Sequence, residues 1–306
     1  MADWPLAAVR FGLYGGLGLL FGMPLFVLTT RSGECLWRMF RLERVLAVLA
    51  AVSLALSLLG FLLLAGRMSG APLGGLDPAL VKTLLLETAL GSALMGRIAA
   101  LVIAFAAALL MSTSRAQQLW IASGGAIAVA TLAWAGHGAG GEGMSGFVHL
   151  GGDVVHLLAA STWLGALALL LVLVRPGAHV TRERAEVAHV ALAGFSRTGT
   201  VAVALIVLTG VANAAFTVDA TALPTLGASV YGRLLFAKLV LFAAMLGCAA
   251  LNRYGLTPAL QVSIARGELR PSLIGLRRSV AIETGLALAV FALVSWLGML
   301  EPGGTS

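Results

Sequence analysis

The chain predicts an all-α polytopic transmembrane bundle, and three observations carry that reading. Hydrophobic residues make up 59% of its 306 residues and charged residues only 11%. The mean hydropathy of +0.99 is far above that of a soluble domain of this length. Apolar runs long enough to cross a bilayer recur near 5–29, 43–66, 94–112, 117–136, 147–174, 194–216, 230–251 and 279–300, about eight spans. The basic residues gather in every second linker: Arg31, Arg38, Arg41, Arg44, Arg115, Arg175, Arg182, Arg184, Arg197, Arg253, Arg266, Arg270, Arg277 and Arg278 are 14 of the 20 Lys and Arg. By the positive-inside rule these linkers face the cytoplasm, which puts the N- and C-termini on the extracytoplasmic side. The formal charge of +7 is then a topology signal, and no nucleic-acid partner is expected.

Taken in order, the first run has Arg10 inside it rather than before it and lacks a small-residue cleavage site, so this span is expected to be retained. Gly12 with Gly16 and Gly18 with Gly22 have the spacing that lets membrane helices approach closely. Cys35 stands alone, as does Cys248 in the seventh run, so neither a disulfide nor a thiolate metal site is expected. From Arg67 to Ala93 the apolar pattern is interrupted by Pro72, Asp77, Pro78, Lys82 and Glu87. The segment reads as an outer loop with a short interfacial helix, the alternative being a ninth span from about Ala79. The whole is one membrane domain, with the first four spans in 1–136 and an outer loop plus the last four spans in 137–306.

The fifth run is the chemically distinctive one. Its first ten residues from Phe147 carry His149, Asp153 and His156, and spacings of four and three put all three on one helix face. Ionisable side chains near the bilayer centre each cost roughly 2.5–3.5 kcal/mol and are functional by default. A rise of about 1.5 Å per residue places His156 about 13 Å along the span, near mid-bilayer. The preceding loop, AGHGAGGEGMSGFVH, adds His137, Glu142 and Met144. Imidazole, carboxylate and thioether together suit copper, Met favouring the cuprous state and His accepting either. His149 and His156 lie about 10 Å apart along the axis, too far to share one ion, so the pattern predicts a ladder of weak sites, as permeation requires.

Plainer roles stand beside these. A membrane histidine often serves only as a hydrogen-bonding residue between helices, and Asp153 is a candidate to neutralise Lys238 in the outer half of the seventh run. Trp163, on the same face as His156, reads as packing. Asn213 reads as an interhelical hydrogen bonder or a cavity residue. Glu283 is expected to pair with an adjacent arginine, and His179 and His189 to be solvated in a cytoplasmic linker.

The runs DVVHLLAASTWLGAL, FSRTGTVAVALIVLTGVANA and YGRLLFAKLVLFAAMLGCAALNRY resemble the copper resistance D (CopD) family in residues, order and spacing. The resemblance implies a multi-pass protein of the bacterial inner membrane that moves copper, inward, beside a separate periplasmic copper-binding protein of the CopC type. It also implies a copper role for His156, Trp163, Asn213 and Lys238 as members of matching motifs. No P-loop or DKTGT-type phosphorylation motif is present, so transport without ATP hydrolysis is expected rather than an enzyme. Two alternatives stay open. H-x6-W-L-G also resembles related membrane proteins that bind haem, with His156 as an axial ligand, although no other span carries a second histidine at matching depth. The other alternative is a structural membrane subunit whose polar groups only lock helices together.

Overall fold

The computed structural model describes residues 4–135, 143–175, 181–217 and 229–299. Among the described residues there are eleven α-helices and no strand. They are α1 (Trp4–Thr29), α2 (Gly33–Phe40), α3 (Leu42–Ser69), α4 (Pro78–Glu87), α5 (Ala89–Leu110), α6 (Arg115–Ala130), α7 (Gly143–Leu173), α8 (Arg182–Thr217), α9 (Val230–Leu251), α10 (Thr257–Arg266) and α11 (Leu269–Leu297). His137, Glu142 and His179 lie outside the described residues.

Seven of these helices are long and apolar enough to cross a membrane. The apolar run at 117–136 is a composite: α6 has 16 residues, and a five-residue 3-10 turn, Thr131–Ala135, continues it. At about 1.5 Å and 2.0 Å of rise per residue the two together reach about 34 Å, close to the thickness of the hydrocarbon layer. The segment before α5 holds the expected short helix, α4. Pro78 opens it, the Asp77 carboxylate accepts from the Ala79 N–H at 2.9 Å, and Thr88 breaks it with extended backbone before capping α5.

Two linkers are more ordered than the hydropathy pattern indicates. Residues 182–193 are three further turns of α8, with Ala185, Ala188, Ala191 and Leu192 buried and His189 half-buried. Alanines at this spacing carry the helix past the membrane signal, so His189 belongs to an amphipathic helix rather than to a solvated loop. Residues 252–278 hold a π-helical turn, Asn252–Leu256, then α10 and the start of α11. Arginines in these segments close helix ends, as at the C-terminus of α7, where the Arg184 guanidinium donates to the carbonyls of Leu173 at 3.0 Å and Val172 at 2.9 Å.

α1 is the hub of the bundle. It packs against α3, α6, α7 and α11; α5 sits between α3 and α6, α8 lies along α7, and α9 lies on α11. The paired glycines of α1 explain its reach, because each pair addresses a different neighbour. Gly12 and Gly16 meet Leu56 and Ser53 of α3, whereas Gly18 and Gly22 meet Ser161, Leu164 and Gly165 of α7. At Gly22 and Gly165 the two backbones touch: a Cβ on Gly22 would collide with the Ser161 carbonyl oxygen, and one on Gly165 with the Gly22 backbone. Only glycine allows that approach. α7 is thus held from behind by α1, and its outer-half polar face is turned to α8.

Candidate functional site

α7 has 31 residues, about 46 Å of helix, which exceeds the roughly 30 Å hydrocarbon layer. It starts at Gly143, one turn earlier than the apolar run. Met144 therefore rides on the outer turn of the helix, 79% exposed, rather than on a loop.

Further along α7 the three ionisable side chains each meet a residue of α8. The His149 ring is buried and stacks on Phe216, centroids 5.0 Å apart and planes 18° from parallel. One turn inward, Asn213 donates its Nδ2 hydrogen to Asp153 Oδ1 at 2.5 Å. Gly152 makes room for that amide, since a Cβ there would sit 3.0 Å from Asn213 Oδ1. Next comes His156, whose Nδ1 is 3.0 Å from Thr209 Oγ1. The antiparallel run of α7 and α8 gives these pairs their register, each step along one helix matched by a step back along the other.

The Thr209 contact favours one imidazole tautomer. The Thr209 hydroxyl has one hydrogen, and it is donated to the Leu205 carbonyl at 2.5 Å. That leaves the hydroxyl oxygen to accept from His156, an arrangement that favours the tautomer with the proton on Nδ1 and the lone pair on Nε2. A histidine with one nitrogen held in this way is oriented as metal-ligating histidines are, the second partner fixing the ring and leaving the first nitrogen to coordinate. Lys238 of α9 is close enough to Asp153 and His156 to interact electrostatically with both.

No group of three or more His, Cys, Asp and Glu side chains placed to hold one metal ion occurs among the described residues. The seam carries single donors or pairs strung along one helix face, with no closed cage. Nor does the fold bring a second histidine opposite His156 within the described residues: His149 is on the same helix, and His189 is 20 residues before Thr209 on α8, about 30 Å away.

Inward of His156 the chemistry changes. Trp163, about 10 Å further along α7, is buried and packs edge-on against Phe195 with centroids 6.2 Å apart. It is the packing residue its pattern predicted, with one addition: its indole N–H donates to Glu283 Oε1 at 2.8 Å, while Asn252 Nδ2 donates to Oε2 at 2.8 Å. The expectation that Glu283 pairs with a neighbouring arginine is thereby overturned. Arg277 and Arg278 are exposed, whereas Glu283 lies on the face of α11 that packs inward. Beside it, between α8 and α9, is a cavity of about 360 Å³ whose wall includes Trp163, Phe195, Thr200, Asn252, Arg253 and Glu283.

Of the residues singled out in the sequence, His149, Asp153, His156 and Asn213 thus come together on the α7–α8 seam, with Lys238 beside it. Met144 lies at its outer end, and Trp163 belongs to the inner cavity. Thr209, Phe216 and Asn252 were not singled out. Threonines and phenylalanines are common in such runs, and only the helix pairing gives these a role.

The first 147 residues match the family model described as copper resistance protein D-like, N-terminal domain, and residues 189–297 match that of copper resistance protein D. Over 309 residues the chain is 39% identical to Copper resistance protein D of Pseudomonas syringae pv. tomato, covering 99% of this chain and 98% of that protein. Over 171 residues it is 29% identical to Inner membrane protein YebZ of Escherichia coli (strain K12), covering 56% of this chain and 55% of that one. No solved structure matches.

Proposed function

This chain belongs to the copper resistance protein D family, and from that premise we propose that it carries copper across the bacterial inner membrane, inward, along the α7–α8 seam. In this reading Met144 and His137 receive the ion on the outer side, and His149, Asp153 and His156 pass it toward mid-bilayer in steps. The movement is driven without ATP, and a separate periplasmic protein of the CopC type delivers the copper.

One observation carries the reading. Three ligand-type side chains stand in a row on one helix face, and the innermost, His156, is held at Nδ1 by Thr209. The partners supplied by α8 are a phenylalanine ring, an amide and a hydroxyl, all neutral. A passing cation therefore meets donors that no positive side chain on α8 locks, and sites of one or two ligands bind weakly enough to release. Lys238 offsets the Asp153 charge when no ion is present and is displaced electrostatically when one arrives.

The test is a pair of substitutions at His156. Leucine fills the space without leaving an orphaned polar group, and glutamine retains a donor for Thr209 while being a far poorer copper ligand. Both variants are expected to fold, and both to lose copper uptake into vesicles containing the purified protein. Full uptake by a well-folded His156→Gln protein would remove His156 from the path. An optical spectrum of the same sample decides the haem alternative, because bound haem absorbs intensely in the visible.

A further inference from the structure

Glu283 is 2% exposed, and no cation is paired with it among the described residues. Its two hydrogen bonds, from Trp163 and Asn252, come from neutral donors. They orient the carboxylate but bring no countercharge. A carboxylate withdrawn from water without a countercharge is unstable by several kcal/mol and relieves this by binding a cation, of which the proton is the simplest.

The charged and titratable groups facing this carboxylate are few. From the π-helical turn come Arg253 and Tyr254, which line the same cavity. Arg253 is turned to α8, its Nη1 donating to Thr200 Oγ1 at 2.6 Å and to the Ser196 carbonyl at 3.4 Å, and its guanidinium lies 5.2 Å from the centroid of the Tyr254 ring. From α9, Cys248 is within electrostatic reach of Glu283. α1, α7, α8 and α10 add no charged side chain to the cavity wall.

Asn252 supplies the second, independent observation. It is 8% exposed and lines the cavity, and its Oδ1 has no hydrogen-bond partner while its Nδ2 serves Glu283. An orphaned buried acceptor beside a carboxylate oxygen is costly if the arrangement is permanent. It has a use if the carboxylate is protonated in part of a cycle. Half a turn of the amide then presents Oδ1 to the new Oε2–H, so one side chain satisfies the ionised form as donor and the protonated form as acceptor. Asn252 opens a π-helical turn, a widening of the helix that occurs frequently at functional sites.

We propose that Glu283 is a proton-binding site, reached from the cavity between α8 and α9 and accommodated in both protonation states by Asn252, whose filling and emptying is coupled to copper passage along α7. The proton comes from and returns to water entering that cavity. The coupling rests on the copper reading above; the proton site does not.

The full-length protein in lipid vesicles tests the two parts separately. With no copper present, infrared difference spectra between neutral and acidic pH should contain the C=O band of a protonated carboxyl group that is missing in Glu283→Gln and retained, displaced, in Glu283→Asp. Glutamine keeps both hydrogen bonds once the Asn252 amide turns, so that variant is expected to fold. Identical spectra for wild type and Glu283→Gln would overturn the proton site, as would a response to sodium at fixed pH in place of a response to pH. In the second part a pH gradient is imposed and copper accumulation is followed. One coupled proton makes the accumulation ratio of the wild type change about tenfold per pH unit, with no response in Glu283→Gln. Copper entry that ignores the gradient in the wild type overturns the coupling. Absence of any copper entry would instead refute the transport reading and leave the infrared result standing.

Discussion

Along the outer half of α7, His149, Asp153 and His156 each face a neutral partner on α8, whereas the inner half carries no ionisable side chain of its own and offers Trp163 to a carboxylate from α11. Both regions place polar groups inside a membrane, where each would be costly against lipid. The outer one does so by pairing single side chains of α7 with single side chains of α8, with Lys238 of α9 within electrostatic reach. The inner one draws on α7, α11 and the π-helical turn, and both carboxylate oxygens accept a hydrogen bond. A row of singly paired donors suits an ion that moves in steps, while a surrounded carboxylate suits a charge that is held in place and changed by one proton.

The largest expected effect that would break this contrast concerns the charge balance of the outer seam. Lys238→Met removes the cation within electrostatic reach of Asp153, and the thermal midpoint of the purified protein should fall by more than for either change below. Adding Asp153→Asn should recover part of the loss. Strictly additive losses in this double-mutant cycle would mean that the two side chains do not interact and that the seam is not charge-balanced by α9.

A smaller effect is expected at the inner carboxylate. Trp163→Phe keeps a ring against Phe195 but removes the donor to Glu283, leaving one buried acceptor unserved at a cost of about 1–3 kcal/mol. Copper binding measured in the absence of a gradient should be unchanged, because the outer seam is untouched. Loss of that binding would join the two regions into one site.

The smallest effect concerns the entrance. Replacing His137 and Met144 together by alanine should leave the thermal midpoint unchanged, since Met144 is exposed, and should slow copper uptake only when copper is limiting. Unchanged uptake at limiting copper would end the ladder at His149.

Hydropathy placed seven helices of membrane-spanning length, and a shorter helix with its 3-10 turn at the eighth run, because a bilayer sets helix length and penalises charge in the same way wherever the helix sits. The stripe of His149, Asp153 and His156 was legible for a similarly local reason: residues three and four apart share a helix face whatever packs against it. Helix bounds were less legible where the membrane was not the deciding force. α8 begins twelve residues before its apolar run and α7 four residues before its own, since alanine-rich and glycine-bounded segments outside the lipid are governed by packing and capping rather than hydropathy.

The sequence by itself therefore determined a helical membrane bundle, its glycine-paired first helix and a face of α7 that carries His149, Asp153 and His156. Only the tertiary structure decided what those features meet. The partners of His156, Asp153 and Trp163 lie 53, 60 and 120 residues away, and no local pattern encodes which turn of a distant helix will stand opposite. For that reason the sequence suggested an adjacent arginine for Glu283, and the fold gave it Trp163 and Asn252 instead. Adjacency along a chain fixes only which residues share a face, while the close approach of α1 to α7 at Gly22 and Gly165 fixes where that face points.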